Sequence, residues 1–344
     1  NDQMALGVLQ ALEMHNLAGK VLVAGYDNTE AVRGELRMGR IHATVEQHPE
    51  LMGRIGVTRA HQAMQGQKIP TYQETPLDLI THDSFGKRIA LSLSEQANPF
   101  FAALLKSVQA HAELHGIELI VADAANDDAQ QLIAIRDFVN KAVDFLIINP
   151  TNSQAVRPGI ELANRDHIPV ITVDREGDGG QVLTHIASDN VAGGRLAAEY
   201  IVRALNHGGT LAEFEGIPGT SANYERGRGF NEVIAQHKDL RITAREVANF
   251  NRDEAYHIMK RLLAQQQSFA AIFAHNDTMI LGVMDALQQT KLAQYPILVG
   301  FDAIPEARQA VQDGKIAATI AQKPEQMGIL AVDMALKSLR GESV

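Results

Sequence analysis

Short apolar runs alternate with stretches of helical periodicity from Ile89 onward. Runs of this kind, bounded by polar residues, predict buried strands of a parallel sheet with helices on both faces. The predicted strands cover residues 89–93, 119–123, 145–149, 170–174, 210–215, 270–274, 297–302 and 317–321. These are too many strands for one small doubly wound sheet. We therefore predict an α/β fold of two parallel-sheet lobes, with crossings near residues 187–189 and near Gln322.

The beginning of the chain repeats a later segment. Asn1-Asp-Gln-Met-Ala-Leu-Gly7 recurs as Asn276-Asp-Thr-Met-Ile-Leu-Gly282, and the register continues without a gap as far as Gly53 and Gly328. A repeat of this length indicates a duplicated domain.

The first copy is predicted to be incomplete. Residues 1–81 would be its carboxyl-terminal portion plus a linker, with helices to about residue 14, over 30–38 and over 49–64. Strands are predicted over 20–25 and 41–46, and a polar linker over 69–81 ends in a short strand. Residues 82–344 would be a second, nearly complete copy. Its first lobe would span about 88–188 and 323–344, and its second lobe about 189–322.

Composition narrows the function. The chain has 344 residues, a formal net charge of −10 and a pI near 5.7, which argues against a nucleic-acid-binding surface. It has no cysteine, which excludes disulfide and thiolate chemistry. No apolar run has the length of a membrane span. Because the sequence begins at Asn1 rather than Met, we expect an amino-terminal segment, including any signal peptide, to be missing from it.

Polar residues follow the predicted strands directly. Asp174 and Arg175 end the strand after Pro169, and amides or carboxylates follow several others. The carboxyl ends of parallel strands converge on the ligand-binding edge of such folds. Phenylalanines near these ends would cover the apolar face of a ring while carboxylates, amides and guanidinium groups bind its hydroxyls. Taken singly, each of these residues also has an explanation as a cap or a core residue.

Catalytic motifs are poorly represented. The glycine-rich segment 216–220 lacks the Gly-Lys-Ser/Thr ending of a phosphate loop and is interpreted as a turn into a helix. His111 and His115 have the spacing of one helical face, but the sequence offers no evident third ligand. We therefore interpret them as a solvated face and expect neither a metal nor a cofactor.

Specific motifs make the second copy resemble the type I periplasmic sugar-binding proteins, most closely their ribose-binding members. The motifs are Asn98-Pro-Phe-Phe101, Ile147-Ile-Asn-Pro-Thr151, Val173-Asp-Arg175, His185-Ile-Ala-Ser-Asp-Asn190, Gly219-Thr-Ser-Ala222, Glu225-Arg-Gly227, Asn276-Asp277, Gly300-Phe-Asp302 and Ala318-Thr-Ile-Ala-Gln322. The resemblance implies two doubly wound parallel-sheet lobes joined by a hinge, here preceded by a partial copy of the same fold. Members end with a further crossing strand, whose equivalent is present only in the first copy, at residues 75–81.

The resemblance also implies the ligand contacts. They would come from Ser94, Asn98, Phe100, Phe101, Asn149, Asp174, Arg175, Ser188, Ala222, Arg226, Phe250, Asn276, Phe301, Asp302 and Gln322. The expected protein is a non-enzymatic periplasmic receptor that closes on one monosaccharide. D-ribose is the expected sugar, ahead of any other. It would deliver the sugar to an ABC transporter permease, and a separate fragment of the same precursor is a further candidate partner.

Two other classes share parts of this pattern. The effector-binding core of a lactose-repressor-type regulator has the same fold, but it would carry a helix-turn-helix before the first strand and a basic surface. A sugar kinase or isomerase would need a phosphate loop or a metal triad. A receptor for another pentose, a hexose or a furanose-like signal is the alternative within the same class.

Overall fold

Two units make up the computed structural model, which describes residues 1–84, 86–206, 208–290, 292 and 294–344. The first unit is Asn1–Lys87 and the second is Arg88–Val344. Each unit has a hydrophobic core of its own.

Helices and short strands alternate in the first unit. Its elements are α1 (Asp2–Met14), α2 (Glu30–Arg37), β1 (Ala43–Glu46), α3 (Pro49–Met64) and β2 (Asp78–Thr81). The strands β1 and β2 pair antiparallel. The core is small and includes Leu9, Val32, Leu36 and Ile41, whereas α3, described throughout, buries none of its residues.

The strand predicted over residues 20–25 is reduced to one parallel bridge between Ala24 and Ala43. Backbone hydrogen bonds of 2.8–2.9 Å still align residues 23–27 with residues 42–45. The predicted length was wrong because only Val23 of residues 20–25 is buried, so little apolar burial supports a longer strand here.

Parallel strands form the sheet of the first lobe in the second unit, in the order β4-β3-β5-β6-β7. They are β3 (Arg88–Leu93), β4 (Glu118–Asp123), β5 (Phe145–Ile148), β6 (Val170–Val173) and β7 (His185–Ile186). All residues of β5 and β6 are buried, as their continuous apolar sequences require for central strands covered on both faces. The helices of this lobe are α4 (Pro99–Leu114), α5 (Asp128–Asn140) and α6 (Arg157–Arg165).

The second lobe has a parallel sheet in the order β12-β11-β10-β8-β9. Its elements, in chain order, are α7 (Asn190–Ala204), β8 (Gly209–Glu215), α8 (Ser221–Ile234), β9 (Leu240–Val247), α9 (Arg252–Ala264), β10 (Ala271–Ala274), α10 (Asp277–Gln288), β11 (Ile297–Asp302), α11 (Pro305–Gln312) and β12 (Ala318–Ala321). The last helix, α12 (Pro324–Leu339), returns to the first lobe, where Gly328 packs against Leu104 of α4. The predicted α/β class, with two parallel-sheet lobes, is confirmed.

Two strands were missed by the apolar pattern. β9 alternates apolar Leu240, Ile242 and Ala244 with exposed polar residues, and this two-residue period could have identified it. β7 has only two residues, too few for any pattern to be visible.

Side-chain caps fix the starts of several helices. Asn98 Oδ1 accepts a bond of 2.9 Å from Phe100 N at the start of α4. Asn276 Oδ1 accepts one of 3.0 Å from Met279 N at the start of α10. These caps satisfy amide groups that a helix start leaves unpaired, and they hold both asparagines at the ends of the preceding strands.

Candidate functional site

The pair Asp174 and Arg175 lies immediately after β6 and is almost completely buried, with 3% and 2% of each residue exposed. Asp174 has a φ of 60°, a left-handed conformation uncommon for a residue with a side chain. Arg175 donates from Nη1 to the carbonyl of Pro150 at 3.2 Å. Its guanidinium carbon lies 5.3 Å from the ring centre of Phe101 and 5.4 Å from that of Phe250. The position of the guanidinium group near these two aromatic rings restricts the orientation of the Arg175 side chain.

A second buried arginine comes from the other lobe. Arg226, on α8, donates from Nε to Asn190 Oδ1 at 2.9 Å and from Nη1 to the carbonyl of His275 at 2.7 Å. Its Nη1 is also 3.5 Å from Asp302 Oδ1, and its guanidinium carbon is 4.1 Å from the ring centre of Phe301. These contacts fix the guanidinium plane before any ligand binds, which reduces the entropy cost of binding.

The end of β11 and the segment after β12 supply a carboxylate and an amide. Gln322 donates from Nε2 to Asp302 Oδ1 at 2.7 Å. Asp302 is 6% exposed and has a φ of 115°. Behind it, the buried carboxylate of Asp277 accepts from Thr319 Oγ1 at 2.6 Å and from Ile304 N at 2.9 Å. This network sets the direction of the Asp302 and Gln322 side chains.

Eleven of the fifteen residues expected to bind ligand surround one small cavity between the lobes. They are Asn98, Phe100, Phe101, Asp174, Arg175, Ala222, Arg226, Phe250, Asn276, Asp302 and Gln322.

The other four expected residues lie elsewhere. Ser94 donates from Oγ to Asn149 Oδ1 at 2.6 Å, and Asn149 donates in turn to the carbonyl of Val173 at 3.0 Å, so both support the end of β6 from behind. Phe301 packs beneath Arg226. Ser188 borders a separate surface depression with His185, because it belongs to the crossing segment between β7 and α7 and not to a strand end.

Polar atoms without partners face this site. Among the described residues, the buried side-chain atoms without a hydrogen-bond partner include Asp174 Oδ1, Asn276 Nδ2 and Gln322 Oε1. All three residues line the cavity. Leaving a buried polar atom unpaired costs about 1–3 kcal/mol. Because two of the atoms are acceptors and one is a donor, they match hydroxyl groups, which both donate and accept.

The site contains equal numbers of carboxyl and guanidinium groups. Two carboxyl groups, of Asp174 and Asp302, face two guanidinium groups, of Arg175 and Arg226. Burial raises the pKa of the Asp174 carboxyl, while the nearby charges of Arg226 and Arg175 oppose that rise. Burial likewise raises the pKa of Asp302, again opposed by Arg226. A cavity of this composition suits an uncharged polar ligand.

Sequence reasoning missed Asn190 as a residue of this site. It is 1% exposed and accepts the Arg226 bond, so it orients a predicted ligand contact. The signal available was weak, because Asn190 follows the α7 cap residue Asp189 and is polar like many helix starts. The carbonyl of Pro150, which Arg175 contacts, has no signal in the sequence at all.

An α/β protein with two lobes that enclose a small polar cavity at the carboxyl ends of both sheets has the architecture of a protein that binds a small molecule. Comparison with known proteins identifies the family. The pattern of the periplasmic binding protein domain matches residues 1–68 and 89–343, and the chain belongs to this family.

Curated relatives agree with this assignment. The ribose import binding protein RbsB of Salmonella typhimurium is 43% identical over 256 residues, which cover 74% of this chain and 86% of that protein. RbsB of Haemophilus influenzae is 45% identical over 257 residues, 74% of this chain and 87% of that protein.

A solved structure has the same fold. The ABC transporter solute-binding protein of Bacillus halodurans with bound myo-inositol has a TM-score of 0.73 and 30% identity, and the match covers 77% of this chain and 92% of that one. The chain is therefore a solute-binding protein of the ABC transporter type and not an enzyme. Within the described residues, no helix combines the length and apolarity needed to cross a membrane.

Proposed function

We propose that this chain works in the periplasm, where it captures one monosaccharide between its two lobes and delivers it to an ABC transporter permease. D-ribose is the proposed sugar. The observation that carries this proposal is the set of buried unpaired atoms, Asp174 Oδ1, Asn276 Nδ2 and Gln322 Oε1, around a cavity with equal numbers of carboxyl and guanidinium groups. A ring of hydroxyl groups satisfies all three at once.

The proposed contacts divide by chemistry. Asp174 and Asp302 accept hydrogen bonds from sugar hydroxyls, and Arg175 and Arg226 donate to sugar oxygens. Phe101 and the other cavity-lining phenylalanines cover the apolar faces of the ring. Carboxylate and guanidinium groups make stronger hydrogen bonds than neutral groups do, which favours tight binding of an uncharged sugar.

Ribose is proposed ahead of other sugars because the relatives at 43–45% identity are named ribose import binding proteins. Myo-inositol, bound in the similar solved structure, is a natural competitor in a binding screen.

Contacts between the lobes support a closed, transport-competent form. Glu176 N, after β6, donates to Ser221 Oγ of α8 at 2.8 Å. Ser153 N donates to the carbonyl of Gly219 at 3.0 Å. Among the described residues few such bonds join the two cleft edges, so the bound sugar would supply much of the free energy of closure. Closure would present one continuous surface to the permease.

The proposal is tested by calorimetric titration of the protein with ribose, allose, arabinose and myo-inositol. We expect ribose to bind with a Kd of about 1 μM or tighter, about −8 kcal/mol. Asp174→Asn keeps the side-chain shape and removes the charge, and it should weaken ribose binding at least about 10-fold. An absence of binding heat with every sugar would overturn the proposal, and unchanged affinity in Asp174→Asn would overturn the assignment of the site.

We further propose that residues 1–81 are a partial copy of the same fold and that residues 82–344 are the sugar-binding copy. Support comes from the family pattern, which matches on both sides of the linker. A separate fragment of the same precursor would then be the partner that completes the first copy. Mass spectrometry of the protein from its native source, under native conditions, tests this: a second fragment bound to the 37.5 kDa chain is expected. The chain found there alone would contradict it.

A further inference from the structure

Two histidines and an aspartate meet on the first lobe, outside the cavity. His111 lies in the last turn of α4, His115 is the C-cap residue of the same helix, and Asp333 lies on α12. Their nearest ligand atoms all fall within 4.8 Å of one another. His111 Nε2 is 2.8 Å from Asp333 Oδ1, and the two imidazole ring centres are 4.8 Å apart. The sequence shows the histidine pair, but the fold supplies the third group.

The two helices that carry these groups are held close together. Gly328 of α12 lies where a Cβ atom would be 2.8 Å from the carbonyl oxygen of Leu104 and would overlap Ser107 Oγ. One to two turns further along both helices, Asp333 meets His111. The helices therefore run side by side in the same direction. Their close approach holds the carboxylate beside the histidine pair without any long, flexible connection.

Accessibility at this cluster permits metal entry. The His111 side chain is 17% exposed and that of Asp333 is 42% exposed, and His115 is exposed as well. The positively charged Arg340 lies near enough to Asp333 to interact with it, but it pairs directly with Glu342 at 2.5 Å. The carboxylate of Asp333 is thus open on the side that faces solvent.

We propose that His111, His115 and Asp333 bind a zinc ion. Imidazole nitrogen and carboxylate oxygen bind Zn²⁺ at about 2.0–2.2 Å, and two histidines one helical turn apart can share one ion. Three protein ligands leave a fourth tetrahedral position for water, which the exposure of the cluster allows. Small rotations of the exposed His115 and Asp333 side chains would bring the three groups to these distances.

Zinc at this position would link α4 to α12. Both helices begin at the sugar cavity, since Asn98 caps α4 and Gln322 precedes α12. The cluster lies about 13 residues along α4, about 20 Å from the cavity at 1.5 Å per residue. The bound ion would therefore stabilise the first lobe and leave the sugar contacts unchanged.

Calorimetric titration of the intact protein with ZnCl₂ tests the proposal. We expect one site of micromolar affinity, and we expect His115→Gln and Asp333→Asn each to weaken it at least about 10-fold. The control is His257→Gln, which alters an exposed histidine on α9 that packs on Tyr256 and should leave zinc affinity unchanged. Saturating zinc should raise the Tm of the parent but not of His115→Gln.

Two results would overturn the zinc site. One is zinc binding with the same affinity and stoichiometry in the parent, His115→Gln and Asp333→Asn, which would place the ion elsewhere. The other is no zinc binding by the folded parent. Titration with ribose at saturating zinc separates this site from the sugar cavity, because we expect ribose affinity to change less than twofold.

Discussion

The two units contain the same hydrogen-bonded network, called the corner below, in which one aspartate accepts from a threonine hydroxyl and from a backbone N–H. Each residue of the first corner is 275 positions before its equivalent in the second. In the first unit, Asp2 accepts from Thr44 Oγ1 at 2.7 Å. In the second unit, Asp277 accepts from Thr319 Oγ1 at 2.6 Å. The other oxygen of each aspartate accepts a backbone N–H, at 2.6 Å in the first unit and 2.9 Å in the second. The repeated sequence therefore reproduces the same local network.

The aspartate–glutamine pair that lines the cavity is repeated as well. Gln47 donates to Asp27 Oδ1 at 2.5 Å, and Gln322 donates to Asp302 Oδ1 at 2.7 Å. The two aspartates have φ angles of 118° and 115°. Within the part of the chain that the structure describes, this pair faces a buried arginine in the second unit only; that arginine is Arg226, which comes from outside the repeated segment. The comparison teaches that a local corner can be copied intact while binding depends on groups from several distant elements.

The largest effect on ribose affinity is expected from removing the Arg226 side chain, which has no counterpart among the described residues at the corner of the first unit. Arg226→Ala should weaken ribose binding about 100-fold or more, about 3 kcal/mol, because Asp302 is left buried without its cation. Arg228→Ala, two residues along α8, removes an exposed arginine that lies over Tyr224 and should change affinity less than twofold. Calorimetry measures both, and equal affinities for the two variants would contradict the assignment.

Matched substitutions of Asp302 and its equivalent Asp27 test which of the two units binds the sugar. We expect Asp302→Ala to weaken ribose binding about 30-fold, about 2 kcal/mol, because it removes an acceptor and frees a buried guanidinium. Asp27→Ala should leave ribose affinity within twofold of the parent. The same titration measures both, and a loss of binding in Asp27→Ala would show that the first unit holds the sugar.

Equivalent glycines allow the two corners to be disturbed separately. A Cβ atom at Gly300 would overlap Asp277 Oδ1 and lie 2.7 Å from Ile280 Cγ2, and one at Gly25 would overlap Asp2 Oδ1. We expect either alanine to cost about 1–3 kcal/mol through overpacking. Thermal unfolding with and without ribose distinguishes them. Gly300→Ala should lower the ribose-stabilised transition, whereas a similar drop in Gly25→Ala would mean that the units do not unfold independently.

The smallest expected effect is on pH dependence. Burial raises the pKa of Asp302 to about 7 and that of the neighbouring Asp277, which titrates together with it, to about 8, whereas an unfolded aspartate titrates near about 4. Between these values the native state holds a proton that the unfolded chain has released, so stability falls as pH rises through this interval. The free energy of unfolding should be on the order of 1 kcal/mol larger at pH 5.5 than at pH 7.5. Denaturant unfolding measures this difference, and Asp302→Asn should reduce it.

The local sequence predicts much of the fold and part of the site. Apolar runs identified β5 and β6 because central parallel strands are buried on both faces. The cap at Asn98 is equally local, since its side chain bonds an amide two residues away. The edge strand β9 was missed because its alternating residues differ from the continuous apolar pattern of the central strands.

The class of fold, the strand ends and the types of polar residue that follow them can therefore be predicted from the sequence. Which of these groups meet depends on the three-dimensional packing. Asn190 bonds Arg226 across 36 positions, Asp333 meets His111 across 222, and Ser188 lies outside the cavity. The physical reason is range: caps and strand patterns depend on neighbours a few residues away. Contacts between elements that are distant in sequence depend instead on sheet order and helix packing, which spacing along the chain does not encode.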